Sequence, residues 1–182
     1  MTGKLLMVIP PVVHVVHGNY EVEADFSNNL RMYLINFDHV TFACPPLLTQ
    51  KDSGIIRSLP LHTVENCSRL TYIPLPYAYR EDRYLRYYLT TKKLLRSEIG
   101  RADYLLFSPH AKYDWSTLAN LLAIKMKRSY GFESDWNHES VTRLYLQSMP
   151  FGLSKIRKTL WAYSLSRNRR KCLSNSSVAL LQ

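Results

Sequence analysis

Of the six histidines in this 182-residue chain, His110 alone stands where topology would give it work. It follows the short apolar run DYLLFS (103–108) and Pro109, at the expected carboxyl end of a buried strand. An imidazole there titrates near neutrality and serves as general acid, general base or hydrogen-bond donor to a phosphate; the plain alternative is a histidine on a surface loop. Glu133 and Asp135 stand two apart in YGFESDW, so on a strand they share a face and make a carboxylate pair or a binder of hydroxyl groups. Otherwise they are solvated acids at a strand end. His14, His17, Gly18 and Asn19 follow the first apolar run, where a glycine lets a backbone amide approach an anion; an ordinary turn uses the same residue types.

A second kind of chemistry is electrostatic. Lys155, Arg157, Lys158, Arg167, Arg169, Arg170 and Lys171 follow one another with no acid between them. Residues 1–100 hold 11 Lys and Arg against 9 Asp and Glu, while residues 101–182 hold 13 against 5, so most of the net charge of +10 belongs to the second half. Such a field suits phospholipid head groups, a lipid-linked phosphate or nucleic acid. Tyr84, Tyr87 and Tyr88 among arginines also suit nucleic acid, but no RNP, KH or helix-turn-helix signature supports it, and nucleic acid is disfavoured.

Several elements must position these groups. Lys4–Pro10 (KLLMVIP) is apolar without alternation, as in a central strand covered on both faces. PPVVHVVHGNY reads as a loop with a turn at Gly18 and Asn19. Phe26, Leu30, Tyr33, Leu34 and Phe37 then form one face of a helix opening near Asp25 or Ser27. HVTFACP (39–45) is a second strand, 46–69 a loop, and LTYIPL (70–75) a third strand. A helix is expected over Tyr77–Ile99, ended by Gly100. The strand DYLLFS, a helix carrying Trp115, Leu118, Ala119, Leu122 and Met126, the strand YGFESDW, short and long helices around Leu144 and Leu160, and a last strand Val178–Leu181 complete the order. This alternation predicts an α/β fold, a three-layer Rossmann-like sandwich with a mainly parallel sheet, in a single domain spanning 1–182.

Other classes are excluded or lose support. Cys44, Cys67 and Cys172 are scattered and contain no CxxC pair, so neither a disulfide framework nor a metal site is expected, and a reducing, cytoplasmic setting fits. Pro10, Pro11 and His14 break the first apolar run, and no stretch approaches the ~18 apolar residues of a membrane span. GxGxxG, GxxxxGK[ST], HExxH and GxSxG are all missing.

The order resembles the N-terminal, acceptor-binding domain of GT-B fold glycosyltransferases, in the large retaining group called group 1 or family 4. The likeness is carried by KLLMVIP, a loop bearing Gly18, a helix, HVTFACP, and RADYLLFSPH followed by WSTLANLLAIKMKR. It implies transfer of a hexose from a nucleotide-sugar to a lipid-linked or polysaccharide acceptor, without an obligatory metal. It also implies a catalytic role for His110 and acceptor contacts from His17, Gly18, Asn19, Glu133 and Asp135. Many relatives place a histidine where this chain has Glu133 and Asp135. The family's second, donor-binding domain, with its Glu, seven residues and a second Glu, has no counterpart in the sequence. The chain alone is therefore expected to need a donor-binding domain or partner chain for turnover. The alternative is a non-catalytic α/β module that binds anionic lipid, at the inner face of a membrane, or a protein partner through its basic C-terminal half.

Overall fold

The computed structural model describes residues 2–48, 57–109, 113–134, 170–172, 174–176 and 178–181, together with Ile156, Thr159, Tyr163 and Arg167. His110, Asp135, Lys155, Arg157, Lys158 and Arg169 lie outside the described residues, as does the helix expected around Leu144.

Among the described residues six parallel strands form the main sheet. In chain order they are β1 (Lys4–Val8), β4 (His39–Cys44), β7 (Leu70–Pro74), β8 (Tyr104–Phe107), β9 (Gly131–Ser134) and β10 (Val178–Leu181), and across the sheet they run β10-β9-β8-β1-β4-β7. Counted among themselves, the parallel strands lie in the order 3-2-1-4-5-6, that of a doubly wound dinucleotide-binding sheet, with its switch point between β1 and β8. β1 is central because both of its faces are apolar: Leu6 and Val8 pack toward one layer, Leu5 and Met7 toward the other, and all four are at most 3% exposed.

The first layer holds α2 (Glu81–Arg101) and α3 (Trp115–Lys125), whose Leu95, Ile99, Leu118 and Leu122 meet Leu105 and Phe107. On the other face α1 (Ala24–Asn36) buries Leu30 and Leu34 against Val40 and Phe42. The C-termini of α1 and α2 are each closed by a distant arginine. Arg69 donates to the carbonyls of Leu34 and Phe37, and Arg128 to those of Ile99 and Ala102. Both cations sit where the helix dipole is negative and carbonyls lack partners.

Four sequence expectations are corrected. PPVVHVVHGNY is a hairpin: β2 (Val13–Val16) and β3 (Asn19–Glu23) pair antiparallel, with His17 at φ 50° and Gly18 at φ 81° between them. Positive φ at both loop residues makes a type I′ turn, whose twist matches the strands. The segment 46–69 contributes β5 (Pro46–Leu48) and β6 (Ser58–Pro60), which flank the hairpin in a second sheet ordered β5-β2-β3-β6, followed by two 3-10 turns. This small sheet lies beside α1, with Val13 and Val22 in the core it shares. Finally, α2 begins at Glu81 instead of Tyr77, because Pro74 and Pro76 hold the chain extended and Leu75 and Ala78 are buried there. Gly100 does not end α2; it lies inside the last turn, and Ala102 is the C-cap.

Candidate functional site

At the switch point the exits of β1 and β8 and the start of α3 converge. The carbonyl of Val8, the last residue of β1, accepts from Ser108 N at 3.1 Å and from Ser116 Oγ at 2.7 Å. Ser116 thus fastens α3 to the end of the central strand. Asp114 caps α3, its Oδ1 accepting from Ser116 N at 3.0 Å, and the residue is only 3% exposed. The carboxylate takes up one of the donors that the start of α3 would otherwise offer to an incoming anion. Beyond β1 the chain continues as Pro10–Pro11, which have no amide hydrogens to donate.

Aromatic side chains build one wall. Trp115 Nε1 donates to the carbonyl of Pro76 at 2.6 Å, joining α3 to the segment leaving β7. The Trp115 ring stacks on Tyr84 at 4.6 Å between centroids, Tyr84 meets Tyr113 at 5.5 Å, and Tyr77 meets Tyr79 edge-on at 5.2 Å. Burial first, and then the Asp114 charge among other neighbours, holds the Tyr79 and Tyr84 phenols protonated well above the ordinary tyrosine range. Tyr77 is 41% exposed and presents ring surface to solvent. Of this cluster Tyr77 is the ring open to a ligand, since Asp114, Trp115 and Ser116 are buried and bonded within the protein.

The residues singled out from the sequence are spread more widely than one crevice. His14 is buried in β2, with Nε2 3.2 Å from Oε1 of Glu23. His17, Gly18 and Asn19 form the exposed hairpin tip. The tip lies toward β7: Tyr20 packs on Tyr72 at 5.0 Å, and Asn19 and Tyr20 line a pocket of about 330 Å³ with Leu61, His62, Cys67 and Leu70. Leu70 is the first residue of β7, so this pocket opens at the end of the sheet away from the switch point. Glu133 is half-buried on β9, two strands from β1, or roughly 10 Å across the sheet. From β9 to β7 is four strands, roughly 19 Å, so Glu133 and the hairpin tip do not share a site. Arg167, Arg170 and Lys171 are helical and exposed, as are Ile156 and Tyr163.

Asp114 and the Tyr77–Tyr84 wall are absent from the sequence reading. Asp114 carried a usable signal, since an Asp two residues before Ser116 and directly ahead of an apolar helical run is an N-cap pattern. Among the described residues no cluster of three or more His, Cys, Asp or Glu is arranged to hold a metal ion, and no helix is long and apolar enough to cross a membrane.

No protein-family model matches the sequence, and no curated protein matches it. Among solved structures, a UDP-glucosyltransferase from Polygonum tinctorium capable of glucosylating indoxyl, in complex with 3,4-dichloroaniline, is similar over 85% of this chain, at 14% identity and a TM-score of 0.41. The chain spans 33%, about a third, of the length of that structure. A likeness at this TM-score carries no inference about what this chain binds or does.

Proposed function

We propose that the chain is the acceptor-side domain of a glycosyltransferase of the GT-B kind, in the retaining group 1 or family 4 that its sequence resembles. It would move a hexose from a nucleotide-sugar to a lipid-linked or polysaccharide acceptor, with the donor held by a second domain or a partner chain. The observation that carries this reading is the switch point: a doubly wound sheet whose β1/β8 exits are braced by the buried Asp114 and Ser116, with an aromatic cluster beside them that leaves Tyr77 exposed. In this proposal Tyr77 offers a ring face to the acceptor, while the buried Asp114 holds the start of α3 in place. Glu133 and Asp135 assist from the β9 exit, and His110 is the base that takes the acceptor proton. The hairpin tip at His17–Asn19 then holds a remote part of a long acceptor, because its distance from β1 leaves no room in the reacting centre.

The test has two parts. Saturation-transfer NMR of the isolated chain with neutral oligosaccharides should show binding that Tyr77→Ala weakens at least about tenfold; unchanged binding in that variant would remove the crevice from the reading. Incubation with labelled UDP-, GDP- and dTDP-sugars should give no transfer by the chain alone, and robust transfer would overturn the half-enzyme assignment.

A second reading, a non-catalytic module docking on anionic lipid or a protein through residues 155–171, is favoured by the exposure of Arg167, Arg170 and Lys171. In that case Arg167→Ala with Arg170→Ala abolishes liposome flotation, and flotation that persists in the double variant rejects it.

A further inference from the structure

The outward face of α2 is laid out against the usual rule for a surface helix. Its inward side buries Thr91, Leu95 and Ile99. Its outward side carries Leu85, 63% exposed, and Leu89, 75% exposed, in line with Lys92 and Arg96 at the i, i+4, i+7 and i+11 spacing of a single stripe. Arg86 and Lys93 flank that stripe, both exposed. From Arg83 to Ser97 the helix has no acid; its acids are Glu81 and Asp82 in the first turn, where Asp82 is paired with Arg80, and Glu98 near the end, paired with Arg101. The two most exposed leucines of the described structure thus lie on a face that is cationic from Arg83 to Ser97, with acids beside Leu85 only in the first turn.

We infer that this face of α2 is a docking surface for an anionic lipid bilayer, separate from the cations of residues 155–171 and independent of the sugar-transfer reading. Charge complementarity selects the partner. Lipid phosphates meet Arg86, Lys92, Lys93 and Arg96, while Leu85 and Leu89 enter the boundary between head groups and acyl chains. Nucleic acid would satisfy the cations but leave the leucines in water, since a leucine neither stacks on a base nor bonds to its edge. The stripe from Leu85 to Arg96 is roughly 16 Å long, enough to span several head groups. α2 then lies along the membrane plane, and the protein is held at the surface with nothing inserted across it.

Flotation of the whole chain with vesicles of phosphatidylcholine alone, or of equal parts phosphatidylcholine and phosphatidylglycerol, tests this. Binding is expected only to the anionic vesicles and is expected to fall as salt rises. Arg86→Glu with Lys93→Glu should weaken it at least about tenfold. Leu85→Ser with Leu89→Ser should weaken it by a similar factor and leave the salt dependence in place. All four substituted side chains are exposed, so circular dichroism should report an unchanged fold. A fluorophore on Leu89→Cys, in a Cys67→Ser background because Cys67 is the exposed thiol, should shift to the blue on anionic vesicles. The inference is overturned by equal binding to neutral vesicles, or by no binding at low salt. It is equally overturned if Arg167→Glu with Arg170→Glu abolishes binding and the α2 variants do not, or if duplex DNA is retarded while vesicles are not bound.

Discussion

α2 and α3 pack side by side on one face of the parallel sheet, yet they are built to opposite rules. α3 is buried at every position from Trp115 to Asn120, is fixed at its start by the Asp114 cap, and is fastened to β1 by Ser116 and to the β7 exit by Trp115. α2 is buried along a single stripe, has no side-chain cap, and starts instead on the charges of Glu81 and Asp82. The difference follows from place. The helix beside the switch point must hold a crevice still, whereas its outer neighbour has one face left to meet something else.

The sharpest way to break this contrast is to truncate one side chain on each helix. Trp115→Ala removes the Tyr84 stack and the bond to Pro76, and should destabilise the fold by about 3–5 kcal/mol in chemical denaturation, whereas Leu89→Ala should change stability by no more than about 0.5 kcal/mol. Equal losses would mean that α2 is locked as tightly as α3. A smaller effect separates the two helix starts. Asp114→Ala should cost about 1–2 kcal/mol by the same measurement, and Arg80→Ala next to none, since Arg80 makes no cap bond. Gly100→Ala should raise the stability by about 0.5–1 kcal/mol. Gly100 has helical backbone, and an added methyl would touch only the Met126 side chain, at 3.9 Å.

The least effect concerns alkali and the seam between the two helices. Burial raises the Tyr84 phenol above its ordinary value, so between ~10 and the folded-state value the unfolded chain has lost this proton and the folded chain keeps it. The folded state then binds more protons, and stability falls as pH climbs through that range. Tyr84→Phe should flatten the decline in a pH series of melting temperatures; an unaltered slope would place the titration elsewhere, Tyr79 being the next group to replace.

Most of the main sheet could be read from residue types alone. Leu5 to Val8, Phe42 to Cys44 and Leu105 to Phe107 announce doubly covered strands because parallel strands under two layers need apolar side chains on both faces. The hairpin was hidden for the opposite reason. In VHVVHGNYEVE only Val13 and Val22 reach the core, His14 is buried by its pairing with Glu23, and two preceding prolines suggest a loop. The two-residue His17–Gly18 turn between strands was the available sign. At the candidate site, Asp114 escaped notice because a cap is a local feature, and its importance comes from Ser116 reaching the Val8 carbonyl 108 residues away, which spacing cannot disclose. Tyr77, Tyr79 and Tyr84 form a wall only because the chain between Pro74 and Arg80 stays extended.

The central position of β1 also has a kinetic consequence. Its neighbour β8 is held through contacts such as Lys4 N to Asp103, 99 residues apart, so β1 waits for a long intervening stretch of chain before both its edges are paired. Non-local pairing of this kind slows folding, and until β8 arrives one edge of Leu5–Val8 stays open to other chains. A nascent chain stalled before residue 104 should therefore recruit chaperones through the exposed edge of β1.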